Sequence, residues 1–173
     1  MPDIEKIEAL APGTPVLDGA VTENIRQYNK ATRLAKLSSI VLEKVDFRVL
    51  PAALRVEAAA LKRELNVETE LLRYDPADGE CIATISWDIV LRDKRKKVAW
   101  CKASYVVFYY DLKDFSEDII KRFIDHVGKT ATYAYFRALY AQLDWSANLG
   151  SRPLPVMSFV VTAKDMRSKD SEA

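Results

Sequence analysis

His126 is the only histidine in the chain, so a search for proton-transfer chemistry starts there. A general base needs a positioned partner as well as a suitable pKa, and no residue near His126 in sequence supplies one. Its place two residues before Gly128 reads instead as a helix-end histidine, favoured by the helix dipole. Cys81 and Cys101 lack the close paired spacing of zinc sites. Asp75, Asp78 and Glu80 are grouped, but in DPADGE, a solvated turn rather than a metal site. The 5 glycines are scattered, which excludes a phosphate-cradling loop and a dinucleotide fingerprint. One dense charge run remains: Arg92, Lys94, Arg95, Lys96 and Lys97. It could dock an acidic partner. With no aromatics interleaved to stack bases, it reads foremost as a soluble hairpin tip that discourages aggregation. No catalytic residue, metal or cofactor is expected.

The elements that must position these residues are legible from period and punctuation. After breakers at Pro12, Gly13, Pro15 and Gly19, Thr22 caps a short helix running to about Leu37, with Ile25, Tyr28, Ala31 and Ala35 on one side. A strand follows from Ser38 to Leu50. Its apolar phase switches between Leu42 and Val45, which predicts a bulge or bend near Glu43 and Lys44. AALRVEAAALKREL has helical composition but lies between strands, and reads as a loop or short helical turn. A strand from about Arg63 to Tyr74 turns at DPADGE into the clearest strand of the chain. There Cys81, Ala83, Ile85, Trp87, Ile89 and Leu91 alternate without a break. RDKRKK then turns into VAWCKASYVVFYY, apolar on both faces after Ser104. With that turn centred near Lys94 to Lys96, Cys81 lies opposite the neighbourhood of Phe108. Cys101 is then roughly 23 Å further along at strand rise. A bridge needs Cα atoms within about 7 Å, so two buried free thiols are expected. Ser116, with Glu117 and Asp118, starts a helix. Gly128 is expected to break it from a longer one, Thr130 to Asn148. The result is an α+β protein: a four-stranded antiparallel sheet followed by packed helices.

Composition bounds the function. The chain has 173 residues, 49% hydrophobic and 29% charged, enough for one domain with a real core. A net charge of +1 implies no general attraction to nucleic acid or anionic lipid. MPDIEKIEALAPG has no apolar signal region, and no apolar run approaches a membrane span. A cytoplasmic protein is expected, with a loosely ordered segment 1–20, a domain 21–160 and a polar tail 161–173.

The remaining signal is apolar excess. Trp87, Trp100, Phe108 and Tyr110 crowd the hairpin. On the long helix Phe136, Leu139, Tyr140 and Leu143 form a stripe that Tyr133, Tyr135, Ala138 and Trp145 widen. The hairpin aromatics are the candidate lining of a groove for extended peptide; Tyr133, Phe136, Leu139, Tyr140 and Leu143 are the candidate subunit interface. Such a groove would bind broadly, without nucleotide and with weak dependence on salt. A structural oligomer that binds no client, and a small-ligand protein with a pocket between sheet and helix near His126, are the other readings.

From about Ile25 to Phe159 the sequence resembles the SecB family of export chaperones and SecB-like proteins. The carriers are VDFRVLP on the first strand, the long hairpin, YAYFRALYAQL on the main helix and LPVMSF after the loop. Tyr133, Tyr135 and Arg137 fit the family's aromatic-Pro-Tyr segment with its nearby arginine, with Ala134 at the proline position. Leu154, Pro155 and Phe159 fit the closing element, with Ser158 in place of its asparagine. The resemblance implies a homo-oligomer, a dimer of dimers, that holds unfolded polypeptide without ATP. It also implies a partner: a translocase motor in the export pathway, or an unstable antitoxin-type protein. The export chaperones are strongly acidic and this chain is not, which favours the fold over the export role.

Overall fold

The computed structural model describes residues 19–156. The chain runs α1 (Gly19–Leu34), β1 (Lys36–Val49), two short 3-10 turns at Ala53–Arg55 and Ala58–Ala60, β2 (Lys62–Asp75), β3 (Glu80–Asp93), β4 (Lys96–Tyr110), α2 (Glu117–Phe123), a π-helical turn (Ile124–Gly128) and α3 (Lys129–Ser146). The four strands form one antiparallel sheet in the order β1-β4-β3-β2. The expected α+β architecture is what folds. Both hairpins close where the turn residues stand. At the β2–β3 turn Asp75 Oδ1 accepts from the amides of Ala77 (2.9 Å) and Asp78 (3.3 Å). Gly79 there has φ +74°, and a Cβ on it would lie 2.9 Å from the backbone nitrogens of Leu112 and Lys113. Only glycine fits both demands.

The bulge expected near Glu43 is present: the β1–β4 register shifts between Leu42 and Lys44. Another irregularity, between Leu91 and Arg92, moves the β3–β4 pairing by one residue, and Cys81 faces Tyr109, in the expected neighbourhood of Phe108. Cys101 faces Ile89, and both cysteines are free and buried. The first helix stops three residues short of the expected Leu37, because Lys36 and Leu37 already pair with Tyr110 and Tyr109. Ser116 caps α2 as expected, its Oγ accepting from the Ile119 amide.

Gly128 does not break the helix. It has φ −60° and ψ −45°, and α2 passes into α3 through the π-helical turn. A Cβ at Gly128 would meet Ile85 Cδ1 at 3.3 Å, so the glycine serves close helix-on-sheet packing instead.

All three helices lie on one face of the sheet, where the core sits. Tyr28 and Ala31 of α1, Ile120 and Phe123 of α2, and Phe136 of α3 join Ile85, Trp87 and Val107 in one cluster. Tyr74 ties the entry to α2: its hydroxyl lies 2.7 Å from the Leu112 carbonyl and accepts from the Phe115 amide at 3.1 Å. The opposite face of the sheet carries no helix among the described residues.

Candidate functional site

Parity along the strands decides which side chains are available. On β3 the odd positions from Cys81 to Leu91 face the helices and are buried. On β4 the odd positions do the same, so Trp100, Lys102, Ser104, Val106, Phe108 and Tyr110 share the open face. Three of the four candidate groove aromatics, Trp100, Phe108 and Tyr110, therefore project from one strand into one uncovered surface. Trp100 and Phe108 are half-buried by their neighbours and Tyr110 is 41% exposed. Phe108 and Tyr110, with Ile82, Ser38 and Glu80, line a depression of about 520 Å³. Val41 of the edge strand, 49% exposed, pairs with Val106 and extends this apolar end. Midway, the Ser86 and Ser104 hydroxyls meet at 2.8 Å.

At the other end Trp100 is held by charge. Its Nε1 donates to Asp46 Oδ2 at 3.2 Å, while Lys97 Nζ lies 4.1 Å and the Arg48 guanidinium 5.8 Å from its ring. Lys36 Nζ sits 5.7 Å from the Tyr110 ring. Such cation–aromatic contacts are worth about 0.5–1 kcal/mol each at exposed sites.

Trp87, the fourth candidate, is placed elsewhere. It is 1% exposed, stacks on Phe136 with centroids 5.7 Å apart, and donates from Nε1 to Thr132 Oγ1 at 3.0 Å. It shares the parity of the buried β3 residues, and that shared parity was the signal that assigns it to the core. The α3 residues divide similarly. Tyr133, Phe136 and Tyr140 are buried in the chain's own core, and Leu139 and Leu143 are half-buried against it. What α3 turns outward is Ala134, Tyr135, Ala138, Ala141 and Trp145, the last 86% exposed. Between this outer face and the returning chain at Ser151 to Leu154 runs a second groove of about 490 Å³ that sequence reasoning did not find. The Tyr133 hydroxyl donates to the Pro155 carbonyl at 2.7 Å and fixes the return. The pair of Tyr140 and Ser151 hydroxyls at 3.0 Å does the same.

His126 is mid-helix rather than at a helix end. Its Nδ1 lies 2.8 Å from the Arg122 carbonyl, and its ring meets Tyr28 edge-on at 5.8 Å, joining α1 to the α2–α3 layer. Between the sheet and the helices Trp87, Phe123 and Phe136 are each exposed by 1% or less. Burial pushes the Cys81 thiol up to about 12 and the Cys101 thiol up to about 11, so both are protonated at neutral pH. Among the described residues no group of His, Cys, Asp and Glu is placed to hold a metal, and no helix is long and apolar enough to cross a membrane.

No protein-family model matches the sequence, and no curated protein matches it. Solved structures do match. The Rv1957 SecB-like chaperone of Mycobacterium tuberculosis, determined with a ChAD peptide from the Rv1956 HigA1 antitoxin, superposes with a TM-score of 0.65 at 18% identity. The match covers 78% of this chain and 99% of that one. The fold is SecB-like. A protein of unknown function from Streptococcus agalactiae also matches, with a TM-score of 0.39 at 13% identity, over 72% of this chain and 97% of that one. Within the SecB-like fold, the motif residues Tyr133, Tyr135 and Arg137 lie on α3, and Leu154, Pro155 and Val156 on the return; residues 157–159 of the closing element lie outside the described residues.

Proposed function

We propose that this chain is a SecB-like chaperone that holds extended, non-native polypeptide on the open face of its sheet, without nucleotide and without catalysis. The observation that carries the proposal is the sheet face left uncovered by any described helix, with Trp100, Phe108 and Tyr110 in a row along β4. Large aromatics offer contact area at low side-chain entropy cost, and a row of them on an uncovered sheet face marks an interaction surface. The solved neighbour supports the reading, since it too has this fold and is seen with a bound peptide. It favours an antitoxin-type partner over a translocase motor, as does the near-neutral charge of this chain. The protein is in this reading a cytoplasmic homo-oligomer. β1 is an edge strand whose Leu37, Leu42 and Val45 are all at least 38% exposed. Soluble proteins cover such an edge, and a second copy does so here.

Light scattering of an aggregating model substrate tests the proposal. The protein at a few equivalents suppresses aggregation, and added ATP changes nothing. Aggregation proceeding at the same rate with and without the protein, for every substrate tried, would return it to the class of structural oligomers.

A further inference from the structure

The strand order brings together charges that are far apart in sequence. On the open face the β1–β4 half carries Lys36, Lys44, Arg48, Lys97 and Lys102 against Asp46. The β2–β3 half carries Glu64, Glu68, Glu70 and Asp88 against Lys62 and Arg92, with Asp75 and Glu80 beside Arg73 at its end. The face is therefore split along the strand direction into a basic and an acidic half, stitched together by the Lys102–Glu68 pair at 3.4 Å. Arg92 is turned inward to Glu64, with Nε 2.9 Å from the carboxylate, whereas among the described residues Lys44 and Lys97 have no carboxylate partner. The aromatics of the open face all stand on β4, in the basic half.

We propose that the open face selects acidic client segments. An extended chain lies along β1 and β4 with an apolar cluster over Val41, Val106, Phe108 and Tyr110, and with Asp or Glu side chains over Lys44, Lys102 and Lys97. This deepens the chaperone reading and rests on it. Phe108 and Lys102 are six positions apart on one strand, about 20 Å at strand rise. The matching segment therefore carries its acids roughly six extended residues from its apolar cluster. The occupant is a polypeptide rather than a nucleic acid for two reasons. Lys97 and Arg48 already stand over the Trp100 ring, so a base would have to displace them to stack on it. The acidic half begins one strand away, about 5 Å. That is inside the ~8 Å screening length at physiological salt, so it repels a polyphosphate laid on the basic half. Carboxylates spaced along a peptide can meet the lysines and avoid it.

The test uses labelled, unstructured peptides that share one apolar stretch and carry, beyond it, a run of Glu, of Gln or of Lys. Fluorescence anisotropy gives each dissociation constant at low salt and at about 0.5 M salt, where screening falls to a few ångströms. The glutamate peptide should bind about tenfold more tightly than the lysine peptide at low salt, with the gap closing at high salt. The triple variant Lys44→Glu, Lys97→Glu, Lys102→Glu should reverse the preference, with the lysine peptide then bound more tightly than the glutamate peptide. All three surface lysines are exposed, and the milder Lys→Gln triple should abolish the preference without reversing it. Equal binding of the three peptides overturns the charge selection and leaves the client face standing. Binding of none of them overturns both. A single-stranded oligonucleotide binding more tightly than the glutamate peptide would assign the face to nucleic acid. Salt-sensitive self-association that competes with every peptide would assign it to a second copy. Either result overturns the proposal.

Discussion

Trp87→Ala is expected to destabilise the protein by about 3–5 kcal/mol, the range for deleting a large aromatic from a packed core. The indole is 1% exposed, packs against Tyr133 and Phe136 with centroids 5.0 and 5.7 Å away, and bonds to Thr132 across the sheet–helix interface. Its removal leaves a cavity between β3 and α3 that the surrounding rings cannot fill without leaving their rotamers. Globular domains are stable by only about 5–15 kcal/mol, so the loss is a large share of the whole. At a urea dependence of roughly 2 kcal/mol per M the unfolding midpoint should fall by about 2 M. Trp87→Phe, which keeps the ring stack and loses the hydrogen bond, should cost clearly less. A midpoint shift below about 0.5 M for Trp87→Ala would mean that this side chain is not the packing centre described above, and would restore it as a surface residue.

The double variant Phe108→Ser, Tyr110→Ser is expected to cripple client holding while leaving the fold intact. Both side chains are on the uncovered face, so their loss exposes no buried cavity of the size left by Trp87. Anchoring aromatics at binding surfaces contribute about 2 kcal/mol when they matter. The loss of even one such contribution raises a dissociation constant about thirtyfold. In the aggregation assay the variant should need an order of magnitude more protein for the same protection, with its circular dichroism and unfolding midpoint close to the parent. Tyr135→Ser, Trp145→Ser on the outer face of α3 serves as the comparison and should hold clients as the parent does. The opposite pattern would move the client site to the groove between α3 and the Ser151–Leu154 return.

Much of this was legible in the sequence because strand alternation and turn chemistry are local signals. The unbroken set from Cys81 to Leu91 gave β3, DPADGE gave the hairpin, and the phase switch at Glu43 gave the bulge. The same alternation contained the answer for Trp87, which shares the parity of Cys81, Ala83 and Ile85; its size made it look like a groove anchor when its phase marked it as core. β4 offered a weaker guide, because after Ser104 the run YVVFYY is apolar at both parities, and there the register with β3 separates Tyr109, buried, from Phe108 and Tyr110, open. Gly128 misled for a different reason. A glycine in a helical run reads as a stop, yet here it permits the close approach of Ile85, a tertiary fact with no local signature. The split of charge across the open face was not readable at all. It depends on β1 lying next to β4, which sets Arg48 beside Trp100 and Lys44 beside Ser104. The proposed charge selection adds a salt-sensitive preference for acidic segments to the weak salt dependence expected from an apolar groove.

The chain has 3 tryptophans, and the fold places one in the core, Trp87, one on the open sheet face, Trp100, and one on the outer face of α3, Trp145. Their fluorescence therefore tests the central claim most directly. A tryptophan-free unfolded client is titrated into Trp145→Phe protein, which keeps Trp87 and Trp100, and into Trp100→Phe protein, which keeps Trp87 and Trp145. Client binding on the open sheet face gives a saturable change in emission in the first and none in the second. A change that persists without Trp100 and disappears without Trp145 would place the client against α3 and contradict the account.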